Sequence, residues 1–226
     1  MKNKFVKLGI VAGVIIIGLF AYKKINATEL HGSFTAGYNS ELAFRGVSSG
    51  QDSIGTSFGT SLSLAGLDVG VEGLVNAKDG ADEVRLGAST GLEILEGVST
   101  SVGVLNYTDN HVLGNGTELY VELGAEIIFD AGARVYYNPD SEVTTFEGSL
   151  SHEVELWEGF GLGISAKAGS TELGGDRATY YGADLLLTRA INDETSLFLG
   201  VDLVDLKDIP NGDDTVSVFG GIKHVF

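Results

Sequence analysis

Cysteine is absent, proline occurs twice and tryptophan once in 226 residues. Without cysteine there is no disulfide framework and no thiolate metal site. Basic residues are scarce, 14 Lys and Arg against 31 Asp and Glu, for a formal net charge of −17. A surface of that sign repels nucleic acid and anionic lipid, so neither is expected as a ligand. Long apolar runs are missing too: after Tyr22 nothing approaches the roughly 20 consecutive apolar residues that a membrane helix requires. If the body of the chain enters a membrane, it does so as strands.

The N-terminus is the exception. Lys2, Lys4 and Lys7 precede an apolar stretch from Leu8 to Tyr22, and Ala27 closes a small-residue cleavage site, so residues 1–27 read as a secretory signal peptide and 28–226 as the mature domain. Lys23 and Lys24 stand between the apolar core and that site, which keeps an uncleaved anchor as the rival reading. Removal of the segment takes five lysines with it and leaves nine basic residues against 31 acidic ones.

What the body has in quantity is glycine, 33 residues, and a period-two alternation. It is cleanest over Thr117 to Tyr137, where Leu119, Val121, Leu123, Ala125, Ile127 and Phe129 alternate with Glu118, Tyr120, Glu122, Gly124 and Glu126. A helix would scatter these glutamates around its circumference, whereas a strand puts them on one face and the aliphatics on the other. Asp130-Ala131-Gly132 then reads as a turn, after which Ala133, Val135 and Tyr137 resume the pattern beside Arg134. Segments of the same plan recur from His31 to Phe226 and make twelve strands. Phe34, Ala36, Tyr38, Leu42 and Phe44 share the apolar face of the first; Val98 to Val104 form the fifth, followed by a long polar loop, NYTDNHVLGNG. Connections after odd strands are polar and mostly long, and those after even strands are tight, as at LEG, WEG and INDE. The fold class this predicts is all-β: a membrane-spanning, antiparallel, up-and-down β-barrel of twelve strands, placed in a bacterial-type outer membrane after export. Gly221 and the terminal Phe226 fit the signal by which such strands are handed to the barrel insertion machinery. The competing architecture is a soluble β-sandwich, whose strands also alternate.

Tyr38 to Gln51, YNSELAFRGVSSGQ, resembles the opening of the TorF family of bacterial outer-membrane porins, whose first strand carries a Ser-Asp-Tyr-x-x-Arg-Gly-like signature. Ser40, Arg45 and Gly46 match it, while Glu41 and Leu42 replace its acidic and aromatic positions. The resemblance covers about one fifth of the chain, and it implies a channel with no catalytic residues. Arg45 lies where the first strand enters an outer loop, either to pair with a carboxylate of the lumen or, with Gly46, to shape the rim.

The faces opposite the aliphatics point inward. They carry Glu41, Glu72, Glu93, Glu122, Glu126, Glu147, Glu153, Asp184 and Asp202 against Arg85, Arg134, Lys167 and Lys223, an acidic interior. Rings of carboxylates favour cations in a pore. Inward glycines, among them Gly55, Gly87, Gly91, Gly124, Gly161, Gly182 and Gly200, leave room in a small barrel or let the sheet bend. Aromatics near strand ends, Phe44, Phe129, Tyr137, Phe146, Trp157, Phe160, Tyr181 and Phe226, suit interfacial girdles. Neither His31, His111, His152 nor His224 has the spacing of a metal site or a hydrolytic dyad, so no cofactor, metal or catalytic residue is expected. The sequence thus points to a porin-like channel for ions or small hydrophilic solutes, mildly cation-preferring, with outer-membrane lipid around it. The alternative is a plugged barrel acting as adhesin, receptor or structural protein, and more remotely a barrel hydrolase.

Overall fold

The computed structural model describes residues 30–41, 43–45, 47–48, 52–64, 67–78, 82–110, 114–173, 176–207 and 214–226. The signal-peptide reading for 1–27, Gly46 and His111 lie outside them. The strands are β1 (Leu30–Asn39), β2 (Ala43–Phe44), β3 (Val47–Ser48), β4 (Ser53–Leu64), β5 (Leu67–Lys78), β6 (Glu83–Leu95), β7 (Val98–Asn110), β8 (Gly114–Glu126), β9 (Asp130–Asn138), β10 (Val143–Trp157), β11 (Phe160–Leu173), β12 (Asp176–Ala190), β13 (Thr195–Lys207) and β14 (Thr215–Val225). Apart from the short β2–β3 pair, they form one closed barrel of twelve strands, each antiparallel to its sequence neighbour, with β14 returning to β1. Closure leaves no sheet edge, which is what a strand-built membrane span requires because lipid offers no hydrogen bonds to an open edge.

Alternation decides which face meets what. Val121, Leu123, Leu150, Ile164, Leu185, Leu199 and Val216 point outward and are exposed. They belong to a belt of aliphatic side chains far larger than a soluble monomer leaves uncovered, and hydrocarbon is the medium that matches it. The aliphatics do not meet one another in a dry interior, so the sandwich alternative is excluded. At the closing seam Gly37 pairs with Gly221, and the backbones approach so closely that a Cβ on Gly221 would strike the Ala36 carbonyl. The ring of Phe226 lies over Gly32, while Gly32 and Phe226 exchange backbone hydrogen bonds of 3.0 Å in both directions.

The tight rim follows the expected chemistry at two turns: Gly97 (φ 73) and Gly159 (φ 76) take the left-handed conformation that makes Glu-Gly a compact reversal. Elsewhere the boundaries differ from the sequence reading. The turn between β8 and β9 is Ile127-Ile128-Phe129, exposed by 82%, 75% and 52%, not the Asp130-Ala131-Gly132 that composition favoured, because Glu126 and Asp130 still pair across the strands. An apolar turn is tolerable where the rim meets the membrane interface. The strand predicted to end at Val104 continues to Asn110, and its partner starts at Gly114, so most of the supposed loop is polar strand. At the first strand the discrepancy is larger. β1 stops at Asn39, which leaves Glu41 in the connection rather than on the wall, and Phe44 turns inward with the small β2–β3 hairpin instead of joining the outer face.

Candidate functional site

The lumen divides into two zones. Every side chain of the described residues that is buried, whether apolar or polar, lies in the half toward the longer loops; examples are Leu105, Tyr107, Glu118, Tyr136, Thr145, Thr171, Tyr180 and Leu206. These are inward positions of the barrel wall, and Phe44 and Arg45 of the first outer connection pack against those around Tyr107, Glu118 and Tyr136. Ser40 anchors its root: its N–H donates to the Val218 carbonyl and its Oγ accepts from the Val218 N–H, both at 2.8 Å. Arg45 opens the two-residue turn between β2 and β3 with φ 49. Such turns take a left-handed first residue, a conformation uncommon for a side chain of this size.

The Arg45 guanidinium donates from Nη1 and Nη2 to the two carboxylate oxygens of Glu118, each at 2.7 Å. Both side chains are almost wholly shielded, at 4% and 1% exposure. Tyr107 Oη donates to the same carboxylate at 3.0 Å. The Tyr136 ring lies 4.5 Å and the Phe44 ring 4.8 Å from the guanidinium carbon, and Phe44 meets Tyr107 edge-on at 5.7 Å. Burial alone lowers an arginine pKa, but the hydrogen bonds and charge of Glu118 outweigh it and hold Arg45 above its ordinary value. Beside this cluster Thr145 and Thr171 share a hydrogen bond of 2.6 Å, and Tyr180 donates to Glu147 at 2.7 Å. The Tyr180 ring lies over Gly169, where any Cβ would collide with it.

The other half is open. Toward the tight turns a recess of about 560 Å³ is lined by Ser61, Asp68, Ser89, Glu93, Ser99, Ser101, Glu126 and Asp130, with no basic side chain among them. A second of about 400 Å³ is bounded by Ser61, Glu72, Ser89 and Lys223. Glu93 accepts from the Gly97 N–H at 3.0 Å and so braces its turn. At mid-height Arg134 reaches Glu122 at 2.5 Å, Ser165 donates to Asp184 at 2.5 Å, and Lys167 stands 4.0 Å from Asp202. Glu153 lines a further recess with Asp130 and Asp184. Arg85 is opposite Tyr107 in the β6–β7 ladder, with its Nε unpartnered among the described residues.

Of the thirteen residues expected inward, twelve lie on the inner face and Glu41 sits in the connection. Glu118, Tyr107, Tyr136 and Tyr180 were not among them. Glu118 and Tyr180 were legible from parity, the former on the face of Glu122 and Glu126 and the latter opposite Tyr181. Tyr107 was hidden because NYTDN reads as a loop. The room expected beside inward glycines is partly taken: the Phe219 ring covers Gly200 and the Lys167 stem crosses Gly182.

This barrel superposes on solved outer-membrane proteins. The fold is that of outer-membrane porins. It is similar to the KdgM porin (TM-score 0.58, 14% identity, 85% of this chain and 99% of that one) and to an outer-membrane channel from Pseudomonas putida F1 (TM-score 0.58, 11% identity, 89% and 97%). The NanC porin is a third neighbour (TM-score 0.53, 15% identity, 87% and 99%). No protein-family model matches the sequence, and neither does any curated protein. The TorF resemblance therefore rests on Ser40, Arg45 and Gly46 alone.

Proposed function

We propose that the protein is a porin-like outer-membrane channel for passive diffusion of ions or small hydrophilic solutes, with a preference for cations. The observation that carries this reading is the pairing of an outward apolar belt with an inward, open, acidic half-lumen in a closed barrel. Fields from carboxylates in a confined aqueous space concentrate cations and exclude anions. One structural neighbour is a KdgM porin in complex with disordered oligogalacturonate. The acidic lining of this chain supports a preference for cations. In the same reading Gly221 and Phe226 serve recognition by the insertion machinery, and lipid is the permanent partner of the outer face.

A second reading, a closed barrel whose outer surface acts as receptor, adhesin or structural element, is favoured by the buried Arg45–Glu118 cluster in the outer half. Among the described residues, His152 faces outward against the Phe129 ring and His224 shares a hydrogen bond with Thr195, so neither stands in a hydrolytic dyad. The purified protein in a planar bilayer under a potassium chloride gradient separates the two readings. A channel gives steps of current with a reversal potential of cation sign; a silent bilayer supports the closed barrel, and an anion-sign reversal removes the assigned lining.

A further inference from the structure

We infer that Glu118, Tyr107 and Tyr136 form a guanidinium-binding site that the chain fills with its own Arg45, so that the Arg45 side chain, carried by the β2–β3 hairpin, is a tethered plug and the vacated site takes a guanidinium- or ammonium-bearing solute. The receptor half of this site belongs to the wall. Glu118, Tyr107 and Tyr136 come from the adjacent strands β8, β7 and β9, whose ladders fix them without help from the loop. The ligand half belongs to the connection, since Arg45 stands in the turn between β2 and β3.

The geometry is that of specific guanidinium recognition. Two parallel N–H···O bonds of 2.7 Å match the fork of the ligand to a carboxylate, and the Tyr136 face at 4.5 Å supplies a cation–π contact. The Tyr107 hydroxyl holds the carboxylate in its plane of recognition at 3.0 Å. Arg134, the wall cation in the next layer, is engaged with Glu122, which leaves Arg45 as the cation on Glu118. Arg45 also keeps a left-handed backbone that side chains of its kind seldom hold, a conformation that persists where surrounding contacts fix it. The acidic half-lumen below delivers cations of this class to the wall site once the plug is out.

The transport consequence rests on the channel reading; binding does not, so the two are tested separately. Wild type, Arg45→Ala and Arg45→Ala/Glu118→Gln are purified and given millimolar methylguanidinium chloride, with sodium chloride at equal strength as control. The double variant leaves no unpaired charge buried at this site, and Arg45→Gln carries the same arms if Arg45→Ala does not insert. Methylguanidinium is expected to raise the unfolding midpoint of Arg45→Ala by about 3 °C and to leave wild type and the double variant unmoved. In bilayers Arg45→Ala is expected to conduct about twofold more than wild type, and methylguanidinium to reduce that current only where Glu118 is present. Equal midpoint shifts with and without Glu118, or none in Arg45→Ala, overturn the site. A Glu118-dependent midpoint shift with no current from any variant upholds the site and removes the channel instead.

Discussion

Three glutamates on one face of β8 compare the two ends of the lumen directly. Glu118, Glu122 and Glu126 are spaced four residues apart, roughly 13 Å each along a strand, so they share a residue type, a strand and a side of the sheet. Glu118 is fully buried and clasped by Arg45 and Tyr107. Glu122 is one-third exposed, shares one short contact with Arg134 and accepts a longer hydrogen bond of 3.4 Å from Ser101. Glu126 stands in an open recess, and its carboxylate has no hydrogen bond or ion pair among the described residues. The wall contributes the same chemistry at each level; what changes is whether the chain supplies a counter-charge from elsewhere. Toward the long loops it does, and the carboxylate becomes structural. Toward the tight turns it does not, and the carboxylate remains available to ions.

Substitutions along this series break the comparison if the zones are alike and sharpen it if they are not. Glu118→Gln leaves the Arg45 charge buried without its partner and is expected to cost about 3 kcal/mol, read from urea unfolding in phospholipid vesicles. Thr145→Val orphans the Thr171 hydroxyl in the same zone and costs about 1–2 kcal/mol, most of which Thr171→Val restores because no polar group is then left unpaired. Lower down, Glu122→Gln acts on a partly solvated pair and is expected to cost less than about 1 kcal/mol. At the bottom, Glu126→Gln leaves the unfolding midpoint where it was but moves the reversal potential in a salt gradient toward zero. A stability loss at Glu126 as large as that at Glu118 would mean the two zones do not differ.

Much of this was legible in the sequence. The parity of Leu119, Val121 and Leu123 against Glu118, Glu122 and Glu126 set both faces of β8, and Glu-Gly pairs marked two reversals. What stayed hidden has a common cause: alternation reports the face of a strand but not where the strand stops. Phe44 keeps the parity of Tyr38, yet β1 has already ended at Asn39, so the parity has no wall to refer to. Ile127 and Phe129 likewise extend the pattern of β8 through residues that are a turn, since apolar side chains carry no turn signature at a membrane rim. Tyr107 was lost in the other direction, because a polar strand end resembles a loop. The Arg45–Glu118 pairing joins residues 73 apart in sequence, and no local pattern specifies which inward carboxylate the first connection meets.

Because the chain has no cysteine, a single introduced thiol reports the state of the lumen at one level. Ser99→Cys lies in the open recess and Thr145→Cys among the buried side chains of the outer half. With the protein in vesicles and a membrane-impermeant, positively charged thiol reagent on the tight-turn side, Ser99→Cys is expected to be modified rapidly and Thr145→Cys to stay unmodified over the same period. Equal rates at the two positions, or faster reaction at Thr145→Cys, would contradict a lumen that is open below and tightly packed above.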